Sequence, residues 1–228
     1  MANIELTALL DCLADLYGEP LAPPRRTLFE LLLFENVAYL ANDEVREQAF
    51  AELVSRVGTR PSDILAAPDE ALSGAGILTE LRPARLREIA RLSIDEFGGD
   101  VESLRARSLR EARRGLMRFP SIGEPGAEKI LLFARSHAVL GLESNAVRVL
   151  TRLGLVQEGR TYAATYRGVQ AFAAAYVDRG FDWLIRAHQL LRQHGQTLCR
   201  RTTPQCSRCP LSDSCAYFRS ALPRATTA

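Results

Sequence analysis

The chain has 228 residues, room for one large domain or two small ones but not for a multi-domain assembly. Hydrophobic residues make up 47% and charged residues 25%, a globular balance that excludes disorder as the main state. Net charge is +2, from 29 basic and 27 acidic residues, which excludes a strongly basic tail but not a local basic face. Lys129 is the only lysine. Arginine grips phosphate through a planar fork but cannot serve as an amine nucleophile, so amine chemistry is confined to Lys129 or the N-terminus. No apolar run approaches the roughly 18–20 residues of a membrane helix. Met1-Ala2-Asn3-Ile4-Glu5 lacks the basic start of a secretory signal, so a cytoplasmic protein without membrane contact is expected.

Helical spacing dominates from the start. Leu6, Leu9, Leu10, Leu13 and Tyr17 share one face, and Pro20 follows. Pro23-Pro24 marks a linker, and an apolar helix is predicted from Leu28 to Leu40. Further helices are predicted near Glu44–Val57, Ser62–Ala66 and Arg82–Phe97, the last ended by Gly98-Gly99. Ser108 and Glu111 form a capping box for a helix whose Leu109, Ala112 and Leu116 align. Pro120 to Gly126 reads as a turn, and the next helix opens near Pro125, whose missing N–H is harmless there. Ala127, Ile130, Leu131 and Ala134 give it an apolar stripe. Trp183, Ala187, Leu190, Leu191 and His194 form another, with Gly195 expected as its C-cap. Cys12 is expected as a buried helix residue. No sustained period-2 alternation occurs, so the fold class is all-α.

Cys199, Cys206, Cys209 and Cys215 fall within 17 residues, spaced Cys-x6-Cys-x2-Cys-x5-Cys. A disulfide framework is out of place in a cytoplasmic chain, so the four thiolates read as a metal site. Zinc usually takes two short Cys-x2-4-Cys knuckles, and only one is present. The longer flanking gaps suit a 4Fe-4S cluster.

Phe119-Pro120-Ser121-Ile122-Gly123-Glu124-Pro125-Gly126-Ala127 joins two amphipathic helices. Backbone amides at such a turn can hold a phosphate without base preference, although many glycine turns serve only close packing. Taken with the cysteines, this segment resembles the endonuclease III group of helix-hairpin-helix DNA glycosylases, and the resemblance spans nearly the whole chain. The cysteine spacing, His194-Gly195 before it, and Phe29-Glu30-Leu31-Leu32 all match, as does Leu142 to Val149. The resemblance implies two helical lobes. One is a six-helix barrel lobe, residues 27–137, carrying the hairpin. The other combines residues 1–26 and 138–228 and carries the cluster loop, 199–215. It further implies a monomer acting on double-stranded DNA at the bacterial nucleoid, with Ser121, Ile122, Gly123, Gly126, Ala127 and Asn145 as DNA contacts. The expected activity is hydrolysis of the N-glycosidic bond of a damaged or mispaired base.

The catalytic pattern departs from the group. Where bifunctional members have a lysine, this chain has Pro125, which has no amine to form a Schiff base. Lys129, one helical turn on, is the substitute candidate, or else a solvated or phosphate-binding lysine. The group's aspartate falls at Glu143, which could stabilise positive charge on the sugar or direct a water, or else only satisfy a helix N-terminus. Glu35, among Leu31, Leu32, Ala38 and Tyr39, is expected to be partly desolvated with a raised pKa, as a proton donor to the leaving base requires. It sits where the group's mismatch adenine glycosylases carry a glutamate; a pairing with a core arginine is the other reading. Leu40 replaces the glutamine that enters the DNA stack in relatives. No extra C-terminal domain is expected after Cys215. Arg105, Arg107, Arg110, Arg113, Arg114 and Arg118, with Arg200, Arg201 and Arg208, are expected as basic faces toward phosphates. A DNA-binding module without catalysis, or a lyase using Lys129, are the alternative functions.

Overall fold

A computed structural model describes residues 5–38, 41–73 and 79–221. In chain order the helices are α1 (Leu6–Tyr17), α2 (Leu28–Val37), α3 (Asp43–Arg56), α4 (Pro61–Ala66), α5 (Asp69–Leu72) and α6 (Arg82–Phe97). They continue as α7 (Leu109–Leu116), α8 (Glu124–Phe133), α9 (Ser144–Leu153), α10 (Tyr162–Ala173), α11 (Phe181–Thr197) and α12 (Ala216–Ala221). Short 3-10 turns fill several connections, and no strand occurs among the described residues. The fold is all-α, as the periodicity predicts.

The chain divides into two compact units. The first is Met1–Pro23 with Ala138–Ala228, and the second is Pro24–His137.

In the first unit, Leu6, Leu9, Leu10 and Leu13 are fully buried on α1, which packs on α11. Helix α9 packs on the same α11 through Ala146, Val147, Val149 and Leu150. Each buried leucine of this kind contributes about 1.5–3 kcal/mol. Helix α11 does not stop at Gly195 but runs on to Thr197. The C-cap expected at Gly195 is therefore wrong. The glycine is there because the backbone of α9 comes too close for a side chain. A Cβ on residue 195 would lie 2.6 Å from the Asn145 carbonyl oxygen and 2.8 Å from its carbon. Cys12 is also corrected, being half-buried on α1.

The second unit is centred on α2 and α6. Leu28, Leu32, Leu33, Leu86, Ile89 and Ala90 are completely buried there. Thr27 and Glu30 form a capping box that starts α2. Helix α6 has the predicted ends, and Gly98 and Gly99 close it with φ of 62° and 83°. Helix α2 is described to Val37, so Tyr39 and Leu40 lie outside the described residues.

Gly195→Ala forces the α9 and α11 backbones apart. We expect it to lower unfolding stability by about 1–3 kcal/mol, the usual cost of overpacking, measured by denaturant titration.

Candidate functional site

The hairpin lies between α7 and α8. Ser108 and Glu111 make the predicted capping box at the start of α7. Arg113 on α7 reaches Glu124 and the almost fully buried Glu128 on α8, each at 2.9 Å, and so clamps the two helices together. In the turn, Ser121 has φ of 63°, in the left-handed region. The conformation that favours glycine thus falls on Ser121, the place of the hairpin's first glycine in the pattern. Ile122 turns inward and is buried, and Ala127 N donates to Gly123 O at 2.9 Å. Gly123 caps α8 with φ of −88°, and a Cβ there would touch only Pro125 at 3.9 Å. A Cβ on Gly126 would touch only Ile122, at 3.8 Å. Internal packing therefore does not require either glycine.

Glu35 and Lys129 meet in the second unit. Lys129 Nζ on α8 donates to Glu35 Oε2 on α2 at 2.6 Å, and Arg46 Nη1 stands 4.0 Å from the same oxygen. Glu35 is largely enclosed, as expected, but two cations face it, Lys129 from α8 and Arg46 from α3, so the pairing reading holds for Arg46 and the lysine is an addition to it. Its side chain is 16% exposed and that of Lys129 is 22% exposed. The solvated lysine considered for residue 129 is likewise replaced by a paired one.

Glu143 precedes α9 as its N-cap residue but makes no capping bond with its side chain. Its Oε2 accepts from Asn145 Nδ2 at 3.1 Å. Its Oε1 is buried without a hydrogen-bond donor among the described residues, and Arg192 Nε lies 4.0 Å away. The other end of the Asn145 amide accepts from Arg148 Nη2 at 2.7 Å. Arg148 also donates to Gly195 O at 2.7 Å and Cys199 O at 2.9 Å. One guanidinium thus ties the Glu143 segment to the first cysteine. Glu143 also pushes up the phenol pKa of Tyr162, in the same direction as burial, which is the larger effect.

All four cluster-loop cysteines line one small cavity, with Val149, Leu153 and Leu198 among its apolar walls. Arg152, one turn after Arg148, donates to Cys199 Sγ at 3.5 Å, Arg200 O at 2.7 Å and Arg201 O at 3.0 Å. Its guanidinium stacks over the Tyr217 ring at 4.5 Å. His194 Nε2 is 3.5 Å from Cys209 Sγ, while its Nδ1 is 2.9 Å from Tyr17 Oη. Burial pushes the imidazole down to about 4, so the ring is neutral near pH 7. Burial also pushes the Cys209 thiol up to about 11, so binding metal there must displace a proton.

Sequence reasoning missed Arg148 and Arg152. Their spacing of four, which puts both on one face of α9, was the available signal. The basic face before the hairpin is partly spent internally. Arg105 pairs with Glu102, Arg113 with α8, and Arg118 with Glu96. Arg107, Arg110 and Arg114 make no side-chain bond among the described residues.

No family model matches the chain. It is 35% identical over 105 residues to an adenine DNA glycosylase of Arabidopsis thaliana, covering 45% of this chain and 16% of that protein. It is 28% identical over 103 residues to endonuclease III of Rickettsia prowazekii, covering 45% of each. Thus the chain spans less than half the length of these two relatives. Endonuclease III of Thermotoga maritima is 24% identical over 195 residues, covering 84% of both chains. Among solved structures, a trapped endonuclease III–DNA covalent intermediate superposes with a TM-score of 0.72. Its identity is 20%, and the match covers 96% of this chain and 99% of that one.

Two substitutions test the geometry. Ser121→Gly removes a left-handed serine worth about 1–2 kcal/mol, less the roughly 0.5–1 kcal/mol entropy cost of glycine. Its melting temperature is expected to rise. Arg152→Ala removes three hydrogen bonds and is expected to cost about 2 kcal/mol in denaturant unfolding. In fold, the chain is similar to endonuclease III over nearly its whole length.

Proposed function

We propose that this protein hydrolyses the N-glycosidic bond of a damaged or mispaired base in double-stranded DNA. The carrying observation is the state of Glu143: one carboxylate oxygen is held by Asn145, and the other is buried with no donor among the described residues. Breaking the bond develops positive charge on the sugar. A fixed carboxylate with an uncommitted oxygen can stabilise that charge or orient the attacking water. Asn145 and Arg148 act as positioning residues for it. Glu35 passes a proton to the leaving base, the proton being supplied by the Lys129 ammonium that donates to it at 2.6 Å, and Arg46 fixes its direction. The hairpin backbone at Ser121, Ile122, Gly123, Gly126 and Ala127 takes a DNA phosphate. Gly123 and Gly126 support this, because a side chain at either would meet only one ordinary van der Waals contact, so close packing within the protein does not require them.

Cys199, Cys206, Cys209 and Cys215 would hold a 4Fe-4S cluster. The four thiols line one cavity, and the single short knuckle between longer gaps suits a cubane with one thiolate per iron. When bound, the cluster supplies structural bracing of the loop that Arg148 and Arg152 also grip. Protein purified without oxygen should be brown and hold about four irons per chain, and Cys209→Ser should lose them. Colourless, iron-free protein would exclude the cluster.

A single-turnover panel of duplexes carrying different lesions tests the activity. Wild type should release a base and leave a strand that breaks only under alkali. Glu143→Gln should slow release on the order of 100-fold or more while duplex affinity holds. Equal inertness of wild type and Glu35→Gln on every lesion, with binding retained, would favour a pure DNA-binding role. The lyase reading has one observation behind it: Glu35 Oε2 is close enough to take a proton from Lys129 Nζ. Borohydride trapping on abasic DNA decides it, since a covalent adduct must vanish in Lys129→Ala.

A further inference from the structure

The second unit contains an open cavity of about 330 Å³ that the proposed chemistry does not use. It lies at the C-terminal end of α8, where Phe133 to Arg135 form part of its wall. The hairpin stands at the opposite end of that helix, about 15 Å away for ten residues. The cavity is lined by Arg25, Arg26, Arg105 and Arg135, with Thr27 and Glu30. Four arginines and Glu30 therefore line it, and Glu47 and Glu102 pair with Arg26 and Arg105.

Two of the arginines are fixed in place. Arg26 lies between the Phe34 and Phe50 rings, 4.3 and 4.6 Å from their centres, and pairs with Glu47. Its side chain is only 10% exposed. Arg105 donates to Ala134 O at 2.8 Å and pairs with Glu102. Glu30 is directed elsewhere, accepting from Thr27 N at 2.8 Å and from Thr59 Oγ1 at 3.2 Å. Arg25 is exposed and makes no bond among the described residues.

Arg135 is the unexpected member. It has φ of 53°, just past the end of α8, where Ser136 N wraps back to Leu131 O at 2.9 Å. Glycine is the usual residue at such a helix end, and an arginine there costs about 1–2 kcal/mol. What the cost obtains is a fourth guanidinium on the cavity wall.

We propose that this cavity is a second phosphate site, separate from the hairpin. Arginine forks match the tetrahedral oxygens of a phosphoryl group, and a concave wall with an excess of arginine over carboxylate concentrates such an anion. The phosphoryl group belongs either to the duplex backbone or to a free phosphate. This assignment does not depend on the glycosylase reading.

Arg135→Gly is the suitable variant, because it removes the guanidinium and relaxes the backbone. In chloride it should melt at or above the wild-type temperature. Wild type, Arg135→Gly and Arg25→Ala are melted in inorganic phosphate and in chloride at equal ionic strength. Their duplex affinities are then measured against salt. A free-phosphate ligand predicts a phosphate-specific rise of a few degrees in wild type, lost in both variants, with the salt dependence unchanged. A duplex phosphate predicts that the slope of log affinity against log salt falls by about one unit in Arg135→Gly. A phosphate-specific rise that survives in both variants, or neither effect in wild type against Arg135→Gly, would overturn the assignment.

Discussion

The contact between Gly195 and the Asn145 backbone organises the first unit. Two helices can approach this closely only because one offers no side chain. That approach leaves the Asn145 amide, the Gly195 carbonyl and the Cys199 carbonyl within reach of a single guanidinium, that of Arg148. Arginine suits the place because its donors lie in a plane and diverge. A lysine would offer one point charge and could not satisfy acceptors on two segments at fixed angles. The carboxylate of Glu143 is held at the end of this chain of bonds. Its position is thus set by the packing of α9 on α11 rather than by its own loop.

The same logic of arginine as a structural staple recurs. Arg113 clamps α7 to α8, Arg152 holds the backbone at residues 200 and 201, and Arg26 is sandwiched between two rings. A chain with 28 arginines and one lysine is easily read as a polyanion binder. Much of its positive charge is instead engaged in holding helices to one another. Arg107, Arg110 and Arg114 before the hairpin, and Arg201 in the cysteine loop, are among the exposed remainder.

Local signals in the sequence were reliable where the cause was local. The ends of α6, the capping box at Ser108 and Glu111, and the proline in the first turn of α8 all follow from neighbours within four residues. The misjudged features have distant causes. Gly195 was read as a helix end because its true partner, Asn145, is 50 positions away in sequence. The setting of Glu35 was read from its own helix alone, and its closest cation arrives from 94 residues downstream. The cysteine loop was legible as a ligand set from spacing, but not the arginines that grip it, since these belong to a different helix.

The pairing of Lys129 with Glu35 has a practical consequence. Lys129 is the only lysine, so a lysine-selective reagent has one side-chain target, and that target is half-enclosed and engaged by an acid. Any ligand that parts the two side chains would make Lys129 abruptly more reactive, so the lone amine is a built-in reporter of events beside Glu35.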